Sequence, residues 1–188
     1  MSVEFRPQLT HAGINCFDID TMRKFYMDVI GLMESDQGLT TRLKQNVVFL
    51  SGDATKHHQI VLSTGRSPES KVSTVNQISF KVPSLDALRE MFRRVNAAKC
   101  NRIFPVNHGN AWSVYFEDPE GNTIECYLDT PFYVAQPHTG VLDLATTDDE
   151  ILEATREACK GDPYFMPVSE WQAKMAKGLA NPAGLRLD

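Results

Sequence analysis

Two stretches of this chain, Leu9-Thr10-His11-Ala12-Gly13-Ile14 and Val75-Asn76-Gln77-Ile78-Ser79-Phe80, occupy matching positions in a tandem repeat. At the same offset and without a gap, Asp20-Thr21-Met22 falls on Asp86-Ala87-Leu88. Each copy has the pattern of a strand of alternating polarity, a turn and an amphipathic helix. Because each copy of a repeat is one structural unit, the repeat predicts two similar units with corresponding side chains.

The composition is that of a folded globular chain. It has 188 residues, of which 42% are hydrophobic and 23% charged, so we expect one domain, with or without an appendage. The net charge of -5 and the lack of a basic cluster disfavour a nucleic-acid partner. The apolar runs are too short to span a membrane, and residues 1–7 lack the apolar stretch of a signal peptide. We therefore expect a cytoplasmic protein with no membrane partner.

The first copy contains signals for one helix and several strands. Asp18 or Asp20 can cap a helix, and Gly31 can end it. Asp36-Gln37-Gly38 is expected to form a loop. The expected strands are 8–17, 32–35, 46–51 and 60–63.

The second copy repeats this order. Ser84 is expected to cap a helix with apolar residues at helical spacing. Asp118-Pro119-Glu120-Gly121 has the proline and glycine of a type I turn, which predicts a hairpin. The expected strands begin at residue 75 and at 101–104, 112–117 and 123–128.

The chain beyond Pro131 has no counterpart in the first copy. Thr147-Asp148-Asp149-Glu150 is a capping box that opens a helix, and Ser169-Glu170-Trp171-Gln172 repeats the device. An amphipathic arm has an apolar side to bury, so a homodimer is expected.

These patterns predict an α+β fold of two tandem βαβββ modules, which form a curved mixed sheet around a metal pocket, with a helical C-terminal arm. The paired domain spans residues 8–130, with module one at 8–64 and module two at 75–130, and the extension spans 131–188.

Strand alternation places the potential metal ligands on one polar face. Side chains at positions i and i+2 share a face, and His11, Gln77 and Glu125 all fall on the polar one. The fourth duplicated position is Val61, which cannot coordinate. Three ligands leave positions open for a substrate, as a catalytic metal requires. The alternatives are an open solvated sheet face and, for His11, a hydrogen-bonded structural histidine.

Several motifs together resemble the vicinal oxygen chelate superfamily, which includes glyoxalase I, fosfomycin and bleomycin resistance proteins and extradiol ring-cleaving dioxygenases. The resemblance covers about residues 8–130 and is strongest to single-domain type I extradiol dioxygenase-like proteins. The motifs are Leu9-Thr10-His11, His57-His58-Gln59-Ile60-Val61-Leu62, Val75-Asn76-Gln77-Ile78-Ser79-Phe80, His108-Gly109 and the run from Tyr115 to Glu125.

The resemblance implies a metal-dependent dioxygenase that cleaves a catecholic aromatic ring with O2. His11 and Glu125 would be metal ligands, most readily of Fe(II), with Mn(II), Zn(II) or Ni(II) as alternatives. His58 matches an acid/base residue beside the substrate, His108 a residue that contacts the catechol region, and Tyr115 an active-site tyrosine. The partners would be a small aromatic substrate and O2.

Three features depart from the dioxygenase pattern. His108 lies about two residues nearer Tyr115 than the matching histidine of those enzymes. Gln77 stands where these enzymes usually have histidine, so the metal or the reaction can differ. Strict alternation also places His57 rather than His58 on the polar face. The alternatives are therefore a glyoxalase-like metal-dependent lyase or isomerase, and a non-catalytic small-molecule binding protein of the same fold.

Overall fold

The computed structural model describes residues 7–70 and 73–180. The chain divides into two compact units. Unit 1 is drawn from Met1–Asn76 with Glu117–Asn122, and unit 2 from Gln77–Phe116 with Thr123–Asp188. The first module therefore lies in unit 1, and most of the second module lies in unit 2.

The described residues of unit 1 form a four-stranded mixed sheet and a helix that ends in a π-helical turn. The side chain of Asp18 accepts the backbone N–H groups of Asp20 and Thr21 and so caps the helix. Gly31 ends it in the left-handed conformation, with φ of 91°, which glycine adopts without strain. The sheet order is β1-β4-β3-β2, with β1 parallel to β4. The elements are β1 (Ala12–Cys16), α1 (Ile19–Phe25) with a π-helical turn (Tyr26–Ile30), β2 (Met33–Leu39), β3 (Asn46–Ser51) and β4 (Ile60–Thr64).

Unit 2 repeats this topology. Its sheet order is β5-β8-β7-β6, with β5 parallel to β8, and Ser84 caps its helix as predicted. The elements of this module are β5 (Ile78–Lys81), α2 (Leu85–Ala97), β6 (Phe104–Asn107), β7 (Ala111–Glu117) and β8 (Thr123–Asp129). The predicted α+β fold of two βαβββ modules is confirmed.

The registers of the two parallel strand pairs correspond. Gly13 pairs with Val61 in unit 1, and Ser79 pairs with Glu125 in unit 2. The predicted equivalence of Val61 and Glu125 is therefore confirmed at the level of the backbone. The helix-facing sides of both sheets are apolar and form the core, which includes Met22, Tyr26, Leu50 and Leu62 in unit 1 and Leu88, Val95, Val114, Phe116 and Ile124 in unit 2.

The tip of the β7–β8 hairpin is part of unit 1. Tyr26 donates its hydroxyl to the buried carboxylate of Asp118 at 3.2 Å. Glu120 accepts the backbone N–H groups of Phe17 and Asp18 at 2.7 and 2.9 Å and pairs with Arg66 at 2.9 Å. The turn is therefore attached to unit 1 by polar contacts, of which the Tyr26–Asp118 hydrogen bond is buried.

The C-terminal segment packs within unit 2. Thr147 and Glu150 form the predicted capping box at the start of the third helix. Thr155 on that helix accepts hydrogen bonds from Asn107 and from the indole of Trp112, both at 2.8 Å. Its elements are β9 (Phe132–Tyr133), α3 (Asp148–Cys159), β10 (Met166–Pro167) and α4 (Val168–Ala180).

Five local predictions are wrong. Strand β1 begins at Ala12 rather than at residue 8, and β5 begins at Ile78 rather than at residue 75. Asp36-Gln37-Gly38 is not a loop, because a bulge between Glu34 and Asp36 lets β2 continue along β3. Strand β6 begins at Phe104 rather than near residue 101. Helix α4 begins at Val168, so Ser169 lies inside the helix rather than at its cap. None of the helices in the described part of the chain has the length and apolar character that a membrane span requires.

Candidate active site

A buried carboxylate lies at the centre of the sheet of unit 2. Glu125 is 7% exposed and accepts four hydrogen bonds. Its Oε1 accepts the hydroxyls of Ser113 at 2.7 Å and Tyr115 at 2.6 Å. Its Oε2 accepts the amide nitrogen of Gln77 at 2.7 Å and the hydroxyl of Ser79. Burying a carboxylate is costly unless such bonds replace water, so these donors form a site built for negative charge.

The strand order explains how these donors meet. Strand β8 lies between β5 and β7, so Glu125 has a donor strand on each side. Ser113 and Tyr115 are two residues apart on β7 and share a face. Gln77, directly before β5, and Ser79, within it, have the same spacing and bond to each other at 3.1 Å. Strand order and this spacing together bring five polar side chains into one cluster.

His108 extends this network. Its Nε2 lies 3.0 Å from the Tyr115 hydroxyl, and its Nδ1 lies 2.8 Å from the backbone carbonyl of His138. Burial, followed by the bond to Glu125, raises the pKa of Tyr115 to about 12, so its hydroxyl stays protonated at neutral pH. His108, the Tyr115 hydroxyl and Glu125 therefore lie in a chain at hydrogen-bond distances.

The proton arrangement of this chain can change. Since a carbonyl only accepts, Nδ1 of His108 carries a proton, and the neutral ring presents a lone pair at Nε2. The Tyr115 hydroxyl has one proton, which it can donate either to Glu125 or to His108. The Tyr115 proton can therefore be directed to either neighbour.

A cavity of about 400 Å³ opens onto these groups within unit 2. This volume lies in the range of small-molecule sites. Its lining includes Ser79, His108, Asn110, Tyr115, Glu125 and Gln136.

Unit 1 contributes a cluster of imidazoles. His11 directly precedes β1, and His58 precedes β4, which pairs with β1. Their ring centroids lie 4.3 Å apart, and Nδ1 of His57 lies 2.9 Å from Nδ1 of His58. Burial, followed by the nearby His11 and His57 rings, lowers the pKa of His58. The neutral form of His58 is therefore favoured at neutral pH.

The choice between His57 and His58 does not depend on alternation. Strand β4 begins at Ile60, so both rings precede the strand. His58 is half-buried against His11, whereas His57 is exposed and lies 3.9 Å from the carboxylate of Asp36.

Of the predicted site residues, Gln77, His108, Tyr115 and Glu125 lie together in unit 2, and His11 and His58 lie together in unit 1. Sequence reasoning did not single out the donors Ser79 and Ser113, although their spacing to Gln77 and Tyr115 was a usable signal. It also missed Gln136 and the His138 carbonyl, for which no local pattern exists.

The donor chemistry fits a divalent metal. Across residues 7–70 and 73–180, no three His, Cys, Asp or Glu side chains are grouped to hold a metal ion. The predicted ligand set is not a group of that kind, because one of its three members is the amide Gln77. Gln77 donates through its amide nitrogen, which leaves the amide oxygen as the ligand atom. Hydroxyls on Glu125 match the outer-shell bonds that orient a ligating carboxylate.

Two βαβββ modules of equal strand order, with a polar cluster on the sheet of one, define a protein of the glyoxalase fold class. A sequence profile of the Glyoxalase/Bleomycin resistance protein/Dioxygenase superfamily matches residues 8–126. The chain belongs to this superfamily, as the resemblance predicted.

Relatives in this superfamily are enzymes of different kinds. Biphenyl-2,3-diol 1,2-dioxygenase 3 of Rhodococcus globerulus is 27% identical over 65% of this chain. The match spans 64% of the length of that protein. Biphenyl-2,3-diol 1,2-dioxygenase 2 of the same organism is 22% identical over 94% of this chain and 95% of its own length. Lactoylglutathione lyase of Haemophilus influenzae is 24% identical over 63% of this chain and 90% of its own length.

Solved structures share the fold. A glyoxylase/bleomycin resistance protein/dioxygenase domain from Frankia has a TM-score of 0.56 at 18% identity, covering 67% of this chain and 94% of that chain. A mutant of the fosfomycin resistance protein FosX of Listeria monocytogenes has a TM-score of 0.53 at 20% identity, covering 67% of this chain and 95% of that chain. That FosX structure contains Mn(II) and 1S,2S-dihydroxypropylphosphonic acid.

Proposed function

We propose that this protein is a metal-dependent extradiol-type dioxygenase that opens the ring of a catecholic aromatic compound with O2. The observation that carries the proposal is the hydrogen-bonded chain of His108, Tyr115 and Glu125. These are three of the residues that the dioxygenase resemblance singled out. Two relatives named as biphenyl-2,3-diol dioxygenases support the substrate class.

We propose His11, Gln77 and Glu125 as the metal ligands. Imidazole and carboxylate suit first-row divalent metals, and the Gln77 amide oxygen is a weaker third donor. Fe(II) is the proposed metal, with Mn(II), Zn(II) and Ni(II) as alternatives. When bound, the metal would supply Lewis acidity and would hold the two reactants side by side.

The side chains around this site would handle protons. His58, held neutral, would accept a proton from the diol. Tyr115 would donate to a substrate oxygen, and Nε2 of His108 would accept the proton that Tyr115 passes on. In the overall reaction both atoms of O2 enter the product and the ring carbon–carbon bond next to the diol breaks, so no separate reductant is needed.

The experiment is an oxygen-uptake measurement. The protein is loaded anaerobically with Fe(II) and mixed with O2 and a panel of catechol and 2,3-dihydroxybiphenyl. We expect one O2 consumed for each diol and a yellow ring-opened product, and none with metal-free protein. Folded, iron-loaded protein that consumes no O2 with any diol would contradict the proposal. The cytoplasmic location and the homodimer stay predictions.

A second candidate is a glyoxalase-like lyase or isomerase. Gln77 in place of a histidine and the lactoylglutathione lyase relative favour it. This activity would form its product from a thiol adduct without any O2 uptake, under the same metal loading. Elemental analysis separates both enzymes from a non-catalytic binding protein, which would retain no metal.

A further inference from the structure

The C-terminal segment of unit 2 is hydrogen-bonded to the turn that contains His108. The side-chain amide of Gln136 donates to the His108 carbonyl at 2.8 Å and to Oδ1 of Asn110 at 3.2 Å. Its Oε1 accepts the backbone N–H of His138 at 3.1 Å. The His138 carbonyl lies 2.8 Å from Nδ1 of His108. Residues 136–138, which we name the strap, therefore bind both the main chain and the ring of His108.

We propose that the strap holds His108 in the Nδ1–H tautomer, with Gln136 as a positioning residue. A carbonyl oxygen carries no proton, so the bond to the His138 carbonyl requires N–H at Nδ1. Nε2 then faces the hydroxyl of Tyr115 at 3.0 Å. The tautomer is a property of the folded chain, whereas its consequence for turnover rests on the proposed function.

The turn at residues 108–110 is closely packed against the C-terminal segment. Gly109 has a φ of +73°, and a Cβ there would lie 2.4 Å from Cγ1 of Val134 and 2.8 Å from Sγ of Cys159. Thr130 donates its hydroxyl to the Gly109 carbonyl at 2.6 Å and its N–H to the Asn110 carbonyl at 3.0 Å. The ring of His108 therefore keeps its orientation as long as the C-terminal segment keeps its place.

A substitution that removes the Gln136 amide removes the hydrogen bonds that join the strap to the His108 main chain. The His138 carbonyl is then free to turn to solvent, and Nδ1 of His108 loses its acceptor. A neutral ring can then carry its proton on Nε2, where it faces Tyr115. In that tautomer Nε2 donates to the Tyr115 oxygen, whose own proton goes to Glu125, so the ring can no longer accept a proton from Tyr115.

The test is Gln136→Met in the full chain, read by long-range ¹⁵N–¹H NMR of the histidine rings. The chain has five histidines, and His108→Asn identifies the His108 signals by their loss. In the unaltered protein we expect Nδ1 protonated and Nε2 unprotonated at alkaline pH. In Gln136→Met we expect the two nitrogen shifts to move toward the Nε2–H pattern. Iron-loaded Gln136→Met should lose about tenfold in kcat with little change in KM.

The matched control is Gln172→Met, on an exposed part of α4, which should leave the rings unchanged. Gln136→Glu keeps the size and removes the donor, so it decides the matter if Gln136→Met does not fold. A wild-type His108 with Nε2–H, or a folded Gln136 variant with unchanged ring shifts, overturns the proposal. Because no metal or substrate is needed, this result does not depend on the proposed dioxygenase activity.

Discussion

Val61 and Glu125 occupy the same place in two copies of one sheet, yet their surroundings differ in chemistry. Each pairs across a parallel ladder, Val61 with Gly13 and Glu125 with Ser79. Ser79 supplies a hydroxyl where the first copy has Gly13, and Glu125 supplies a carboxylate where the first copy has Val61. The backbone is thus the same, and the charge in unit 2 is stabilised by a few side-chain donors.

The two units also differ in the side chains that they bring together. Unit 1 places His11 and His58 side by side, and burial, followed by the close His11 and His57 rings, lowers the pKa of His58. Unit 2 surrounds the Glu125 carboxylate with neutral hydrogen-bond donors. Duplication therefore gives imidazole nitrogens in one copy and a carboxylate in the other.

The largest expected effect comes from making the two copies alike. Glu125→Val copies Val61 into the second module and removes the proposed carboxylate ligand. We expect metal retention and turnover to fall below detection, since even the outer-shell partners of a metal contribute about 10- to 100-fold. Elemental analysis and oxygen uptake are the measurements. Val61→Ala is the matched control and should keep both; metal retained by folded Glu125→Val would refute the ligand assignment.

The next effect concerns the imidazole cluster. His58→Phe keeps a ring of similar size beside His11 but removes the proposed proton acceptor. We expect normal metal content and a fall in kcat of about 100- to 10,000-fold, as for a general acid or base. Stopped-flow product formation measures it. His57→Phe, the same change at the exposed neighbour, should stay near wild type, and equal rates in both variants would make His58 a packing residue.

Much of this comparison could be read from the sequence because it depends on local rules. The caps at Ser84 and Thr147 follow from side chains within one turn, and the strand faces follow from alternation around Glu125. The continuation of β2 through Asp36-Gln37-Gly38 could not, because those residues favour turns and only pairing with β3 makes them a strand. The contact of Gln136 with His108 joins residues far apart in the chain, and no spacing rule reports it.

A further difference is that unit 2 has a C-terminal segment without a counterpart in module one. Thr155→Val keeps the side-chain shape but leaves Asn107 and the Trp112 indole without their buried acceptor. Each unsatisfied donor costs about 1–3 kcal/mol, so we expect a loss of at least about 2 kcal/mol in the free energy of unfolding. Urea unfolding measures it. Thr155→Ser keeps the hydroxyl and should lose only about 1 kcal/mol; equal losses would mean that packing, not hydrogen bonding, attaches the helix.

The smallest expected effect tests whether the donors around Glu125 tune the metal. Ser113→Ala removes one of the two hydroxyls on Oε1 and leaves that of Tyr115 in place. Because outer-shell bonds orient a ligating carboxylate, we expect metal affinity to fall about tenfold while folding is kept. Competition with a chelator measures the affinity. Ser63→Ala in unit 1, where the hydroxyl bonds the Thr64 carbonyl, is the control. Unchanged metal affinity in Ser113→Ala would mean that the remaining three donors are enough to orient the Glu125 carboxylate. The charge of Glu125 would then be the only difference from Val61 that matters for metal binding.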